Sequence, residues 1–170
     1  MEYAVKGFGG AILSSVSSKK TIHVLEHILG LTKVSENNGM VRFRSYGNLG
    51  NVIDVNTEDA CWGHSGSGTV HHIAWRAKDD DEHEEWRQFV EQAGFHPTQV
   101  IDRQYFNAVY FREPGGILFE IATDPPGFTR DESEEELGTH LMLPEWYEPQ
   151  RDLIEQKLPK IEVRELGGQQ

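Results

Sequence analysis

The chain has 170 residues, of which 37% are apolar and 26% are charged, a composition typical of a globular protein with its own hydrophobic core. The formal net charge of −12 repels phosphate backbones, so nucleic acid is not expected as a partner, and no apolar stretch is long enough to predict a membrane span. Cys61 is the only cysteine, so no internal disulfide can form and the cytoplasm is the expected location.

The segment from about residue 4 to residue 56 predicts one strand, one helix and three further strands. Apolar residues recur at helical spacing from Ile22 to Leu29, behind Ser17 and Ser18 as candidate caps. Gly30 is placed to end this helix in a left-handed conformation, and Asn38-Gly39 is a strong signal for a hairpin turn. The predicted strands are 5–13, 33–36, 40–44 and 51–55.

The same order of elements recurs between about residues 68 and 124. A helix capped by Asp79 or Asp80 carries an apolar stripe from Trp86 to Ala93 and ends at Gly94. The predicted strands are 69–76, 95–101, 107–112 and 117–123. The repetition predicts an α+β domain over residues 1–124, made of two βαβββ units whose sheets are each covered by one helix. Residues 125–170 are expected to form a C-terminal tail that packs on this domain.

Two neighbouring histidines and one glutamate are the strongest candidates for chemistry. Side chains alternate along a strand, so His71 and His72 are expected to face opposite sides of the predicted strand 69–76. Glu120 lies in an otherwise apolar strand, where a carboxylate is costly unless it is paired or bound to a metal. Alone, such a histidine is more often structural and such a glutamate more often part of an ion pair. Together on neighbouring strands they favour a divalent metal site.

Several stretches resemble a known superfamily. Residues 68–76 (GTVHHIAWR) and 110–120 (YFREPGGILFE) resemble a first strand and the final hairpin of the vicinal oxygen chelate superfamily. More narrowly, residues 102–106 (DRQYF) and 143–146 (LPEW) resemble the C-terminal half of glyoxalase-type ring-cleaving dioxygenases. Those enzymes open hydroquinone-like rings with Fe(II) and O2. The resemblance therefore implies a hydroquinone or catechol-type aromatic and O2 as the substrates.

The resemblance also implies roles for particular residues. His72 and Glu120 match the metal ligands, whereas His71, Arg103 and Tyr110 match positions around the metal. Fe(II) is the implied ion, with Mn(II), Zn(II) and Ni(II) as alternatives. The charge of Arg103 would stabilise a phenolate, and Tyr110 would donate a hydrogen bond or a proton.

Structural roles remain open for these three residues: Arg103 pairing with Asp102 or with the acidic surface, Tyr110 in the core, and His71 beneath the helix.

A two-histidine, one-carboxylate iron site needs a third protein ligand, and the matched residues supply only two. In the first unit the position that matches His72 is about Gly9, and the position that matches Glu120 is about Asp54. In the resembling enzymes the second histidine comes from an N-terminal half, so this chain is expected to act as a C-terminal half, in a homodimer or with an N-terminal half chain. The other histidines are weak candidates for completing the site: His23, His27, His64, His83, His96 and His140.

Two other functions are compatible with the sequence. A glyoxalase-like lyase or isomerase would use Zn(II) or Ni(II) and would need four protein ligands. A non-catalytic protein that sequesters ligands, like the drug-resistance members of the superfamily, would need no metal and would bind in a cleft lined with aromatic side chains. The aromatic residues available for such a cleft are Trp62, Trp75, Phe106 and Trp146.

Overall fold

The first half of the fold is a four-stranded sheet with one helix. The structure is a computed structural model, and it describes residues 7–160. The elements are β1 (Gly10–Leu13), α1 (Ser18–His23), a π-helical turn (Val24–Ile28), β2 (Thr32–Asn37), β3 (Met40–Arg44) and β4 (Val52–Asn56). The strand order is β1-β4-β3-β2, with β1 parallel to β4 and the other pairs antiparallel.

The second half repeats this topology. Its elements are β5 (Ile73–Ala77), α2 (Asp80–Gln92), β6 (Ile101–Asp102), β7 (Phe106–Arg112) and β8 (Leu118–Pro126). The strand order is β5-β8-β7-β6, and β5 is again parallel to its neighbour. The predicted α+β fold of two βαβββ units is therefore confirmed.

Each helix covers one face of its own sheet, as the apolar stripes predict. Leu25 of the first helical segment and Val90 of α2 have no exposed surface, and they belong to one hydrophobic core with Phe43, Phe111 and Phe119. Burying a large apolar side chain contributes about 1.5–3 kcal/mol. The opposite face of each sheet does not belong to this core, and it is there that polar side chains can gather.

The helix and turn signals act mostly as the sequence predicts. Asp79 Oδ1 accepts a hydrogen bond from the Glu82 amide at 2.9 Å and caps α2. Ser17 precedes α1 but makes no side-chain cap bond; instead the Ser18 amide donates to Asp59 Oδ1 at 2.7 Å. Gly30 and Gly94 end the helical segments with φ of 69° and 90°, and Asn38-Gly39 forms the hairpin turn with φ of 50° and 74°.

Two strands are shorter than predicted. The strand predicted over residues 95–101 shrinks to Ile101–Asp102, because Pro97 has no amide hydrogen and the Thr98 hydroxyl accepts the Tyr110 amide in place of a ladder carbonyl. The strand predicted over residues 69–76 begins only at Ile73, because Thr69 closes a turn through its amide to Gly66 O and its hydroxyl to His64 O.

The first predicted strand, 5–13, begins at Gly10, and residues 5 and 6 lie outside the described part of the chain.

The structure separates into two compact units, with the boundary between Gly127 and Phe128. The C-terminal segment, from Phe128 onwards, contains two short 3-10 turns and α3 (Arg151–Lys157), whose Arg151 pairs with Glu148 and Glu155. That the C-terminal segment packs on the domain stays a prediction. Between residues 7 and 160, no helix has the length and apolar character that crossing a membrane requires.

Candidate metal centre

Glu120 lies at the centre of the second sheet, on the face away from α2. It pairs with Tyr110 of β7 on one side and Ala74 of β5 on the other. Its neighbours Phe119 and Ile121 point into the core, so the alternation of the strand sends the carboxylate to the opposite face. Glu120 is nevertheless only 2% exposed, which makes it a buried acid that requires a partner.

His72 provides the closest partner of this acid. It lies just before β5, and its Nε2 is 2.6 Å from Glu120 Oε2. Glu120 Oε1 is also buried, but it accepts no hydrogen bond within the described residues. A buried carboxylate oxygen without a donor is a position where a bound cation would be stabilising.

His71 does not face away from His72, so the expectation of opposite faces is wrong. The two Nδ1 atoms are 2.9 Å apart, so one ring donates a hydrogen bond and the other accepts it. The rings are nearly perpendicular, at 89°. The alternation rule fails because both residues precede the strand, which starts at Ile73. His71 is exposed and does not lie beneath α2.

Tyr110 borders the pair of His72 and Glu120. Its ring centre is 5.7 Å from that of His72, and the Glu120 carboxylate lies directly opposite it on β8. Burial raises the pKa of the Tyr110 hydroxyl, and the negative charge of Glu120 raises it further, whereas the charge of Arg103 lowers it. Tyr110 is thus a half-buried, protonated donor and does not belong to the core.

Arg103 is held by a tight turn near this tyrosine. The Gln104 amide donates to Asp102 Oδ1 at 2.7 Å, and Gln104 adopts a left-handed φ of 70°. Within residues 7–160 the Arg103 guanidinium forms no ion pair, so pairing with Asp102 is wrong. In a chain with a net charge of −12, an arginine without a carboxylate partner is available to an incoming ligand.

The donor set suits a divalent ion but is incomplete. One imidazole nitrogen and one carboxylate are compatible with Fe(II), Mn(II), Zn(II) and Ni(II). Among the described residues, no group of three or more His, Cys, Asp and Glu side chains is arranged to hold a metal. His72 and Glu120 would therefore fill only part of a coordination sphere.

Two buried residues of this unit have structural roles that the sequence did not predict. His83 is 1% exposed, and its Nε2–H donates to Ile121 O at 2.8 Å beneath the strand of Glu120. Its spacing to Trp86 and Val90 places it on the apolar stripe of α2, a signal that was present in the sequence. Glu113 is buried in the β7–β8 turn and accepts hydrogen bonds from the Gly115 and Ile117 amides.

The corresponding face of the first sheet is arranged differently. The register places Asp54 opposite Arg42, as Glu120 lies opposite Tyr110, so the predicted match of Asp54 is supported. The position equivalent to His72 is Gly10 and not Gly9, because Gly10 pairs with Val52 two residues before Asp54. A side chain at Gly10 would collide with Val52 O. The groove there, of about 340 Å³, contains the paired Arg42 and Asp54.

Residues 14–121 match the sequence model of the family described as "Glyoxalase/Bleomycin resistance protein/Dioxygenase superfamily". The chain belongs to this superfamily. A crystal structure of a "putative dioxygenase" from Bacillus subtilis subsp. subtilis str. 168 superposes with a TM-score of 0.92 at 55% identity, over 96% of this chain and 53% of the other. Lactoylglutathione lyase from Agrobacterium tumefaciens superposes with a TM-score of 0.56 at 17% identity, over 70% and 94% of the two chains, which shows the fold alone.

Within the superfamily, several sequence relatives are named as ring-cleaving dioxygenases. "Putative ring-cleaving dioxygenase MhqO" of Bacillus subtilis (strain 168) is 54% identical over 97% of this chain and 53% of its own length. "Chlorohydroquinone/hydroquinone 1,2-dioxygenase" of Sphingobium indicum is 39% identical over 54% of this chain and 28% of its own length. The chain thus spans about half the length of its more similar relative.

Proposed function

We propose that this chain supplies the metal-binding half of a ring-cleaving dioxygenase that acts on a hydroquinone or catechol-type aromatic with Fe(II) and O2. The observation that carries the proposal is the buried Glu120, whose Oε2 meets His72 and whose Oε1 has no hydrogen-bond donor among the described residues. The names of the relatives supply the reaction class, and the donor set supplies the reason for a metal.

His72 Nε2 and the Glu120 carboxylate would hold the ion. For His72 to offer the lone pair of Nε2, its ring proton must stay on Nδ1, and His71 Nδ1 is placed 2.9 Å away to accept it. His71 thus orients a ligand without binding the metal. When bound, Fe(II) supplies electron transfer between the aromatic ring and O2, a reaction that side chains cannot perform.

Arg103 and Tyr110 would act on the aromatic substrate. The positive charge of the Arg103 guanidinium favours an ionised ring hydroxyl. Its planar fork can also donate two hydrogen bonds to the ring oxygen. The Tyr110 hydroxyl keeps its proton because its pKa is raised by burial and by Glu120, so it can donate a hydrogen bond or a proton to an oxygen of the ring.

The remaining ligand must come from outside the described residues. We propose that a second pair of βαβββ units, acting as an N-terminal half, brings a histidine to the face of Glu120. The relative named MhqO is nearly twice as long as the segment that this chain matches, which leaves room for such a pair. In a homodimer, by contrast, a histidine of one copy would have to reach across to the site of the other. The proposed location is the cytoplasm, where the exposed free thiol of Cys61 would stay reduced.

An anaerobic Fe(II) titration together with oxygen uptake tests the proposal. The chain alone, with two protein ligands, should bind iron weakly and consume little O2 with a hydroquinone. Mixing it with the part of the MhqO relative that it does not match should increase both the affinity and the uptake. The same mixture with His72→Ala is the control and should stay inactive.

The metal that co-purifies with the assembled protein separates the competing functions. Iron supports the dioxygenase, whereas zinc or nickel with no oxygen uptake would indicate a lyase or isomerase. An assembly that binds a hydroquinone without any metal would indicate a sequestering protein. Full activity of the chain alone would contradict the half-site and would point to an overlooked ligand, with His96 and His140 examined first.

A further inference from the structure

The turn between β7 and β8 contains a buried acid that touches the other unit. Glu113 is 2% exposed. Its Oε1 accepts the Ile117 amide at 2.8 Å, and its Oε2 accepts the Gly115 amide at 2.7 Å and the Thr21 hydroxyl at 3.0 Å. Two of these bonds shape the turn itself, but the third comes from α1, which is 92 residues away in sequence.

Other contacts join the same two segments. The Val16 amide and the Ser15 hydroxyl both donate to Gly115 O, at 2.9 and 3.1 Å. Thr21 Oγ1 lies 2.7 Å from Ser15 Oγ, and both side chains are fully buried. A methyl group at Gly115 would collide with both hydroxyls, so only glycine permits this approach. Buried polar groups of the first unit thus form hydrogen bonds with the β7–β8 turn.

This turn lies close to Glu120 along the β7–β8 ladder. The β7–β8 ladder starts with Arg112 opposite Leu118, and two residues further along it places Tyr110 opposite Glu120. The metal-site acid therefore lies close to the turn that Thr21 and Glu113 fix. A shift of the turn would move Glu120 relative to His72, which belongs to a different strand segment.

We propose that Glu113 and Thr21 are positioning residues, which hold the β7–β8 hairpin so that Glu120 meets His72. The inference rests on the proposed metal site for its meaning, but the contact it explains exists in the chain without metal. The first unit has an arginine-paired acid where the second unit has Glu120, so its proposed role is structural. That role is to fix the geometry of the second unit.

Thr21→Val is the most informative variant. Valine keeps the shape of threonine but removes the hydroxyl, so Glu113 loses one of its three donors. In the metal-free chain, we expect the nuclear magnetic resonance signal of the His72 Nε2–H, which reports the contact with Glu120, to weaken or disappear. We expect the Glu120 amide to exchange with solvent about tenfold faster, the factor that corresponds to about 1.4 kcal/mol. Glu113→Gln should have the larger effect, because the NH2 group of glutamine would face the N–H and O–H groups that now donate to the carboxylate.

Two controls separate positioning from a general loss of stability. Thr21→Ser keeps the hydroxyl and should restore the His72 signal. Ser18→Ala removes a buried hydroxyl of the same helix, which bonds Thr57 O and Asp59 but not the hairpin. It should lower the melting temperature and leave the signal of His72 unchanged.

The outcomes distinguish this inference from the proposed function. If Thr21→Val and Glu113→Gln leave the His72 signal and the Glu120 exchange as in the wild type, the inference is overturned, whatever the metal titrations show. The same holds if Ser18→Ala changes them as strongly as Thr21→Val does. An assembly that binds no metal overturns the proposed function, while a changed His72 signal in Thr21→Val still supports the positioning role.

Discussion

The two sheets carry a carboxylate at the same register position, but they use it differently. Asp54 of β4 forms a two-bond ion pair with Arg42, at 2.7 Å for both contacts, directly opposite on β3. Glu120 of β8 faces Tyr110 at the equivalent position, and its side chain is 3% exposed against 14% for Asp54. One residue on the neighbouring strand thus decides whether the acid is neutralised within the sheet or remains available to a cation.

The second ligand position extends the comparison. His72 stands where the first unit has Gly10, and a β-carbon at Gly10 would collide with Val52 O. The first unit could not become a metal site by a single substitution, because the histidine has no room and the acid already has a cation. The first unit therefore repeats the strand order of the second without its pair of histidine and free carboxylate oxygen.

Removing either proposed ligand should break this asymmetry most strongly. We expect His72→Ala and Glu120→Gln to lower the metal affinity of the assembled protein by more than the roughly 100-fold that loss of an outer partner can cost. Isothermal titration with Fe(II) or Mn(II) measures the change, and Asp54→Asn in the first sheet is the matched control. Equal losses in Asp54→Asn and Glu120→Gln would mean that the two acids do not differ in role.

Arg103 should affect turnover rather than metal content. Removing one charged donor at a site of developing charge costs about 10²–10³ in rate, so Arg103→Lys, which keeps the charge but loses the fork, should lower turnover by about tenfold. Metal content and the melting temperature should stay at wild-type values. Oxygen uptake by the complemented assembly is the measurement. Wild-type turnover of every hydroquinone tested would place Arg103 outside the site.

His71→Ala should have a smaller effect on metal affinity. Because His71 contacts His72 Nδ1 but not Glu120, its loss should weaken binding by about tenfold, the lower end of the range for an outer partner. Most of the metal should therefore remain at saturating concentration, as metal analysis after gel filtration would show. If His71→Ala and His72→Ala lose metal equally, the choice between the two neighbours is wrong.

The ion pair of the first sheet should matter least. Arg42→Ala leaves Asp54 without its cation on a largely open face, so we expect a small drop in melting temperature and no change in metal affinity or turnover. A variant that gains a second equivalent of bound metal would show that Arg42 alone keeps the first unit from binding. The collision expected at Gly10 argues for the opposite result.

Much of the fold was predictable because its signals are local. Gly30, Gly94 and the Asn38-Gly39 turn each adopt the positive φ that their positions require, and the apolar stripes are buried. The strand over residues 95–101 failed because a threonine side chain replaced a ladder carbonyl, which no periodicity reveals. The hydrophobic pattern thus predicts which segments are extended or helical, but not which extended segments pair.

The candidate site was predictable in its residues more than in its geometry. A glutamate within an apolar strand signals a buried acid, and this led correctly to the proximity of His72 and Glu120. The relation between His71 and His72 was wrong because alternation holds only inside a strand. The junction between Thr21 and Glu113 could not be foreseen, since it joins residues 92 positions apart.

The two helices differ in the residue whose side chain accepts a hydrogen bond from a backbone amide of the first turn. This difference affects the order in which the chain folds. Asp79 caps α2 from three residues away, so the cap is present as soon as that turn forms. The acceptor for α1 is Asp59, which lies 41 residues beyond Ser18 and reaches it only after β4 has been laid down. Closing a loop of that length costs chain entropy before the bond can form. The first turn of α1 should therefore be completed only once its own sheet is assembled, whereas the cap of α2 needs only its own turn.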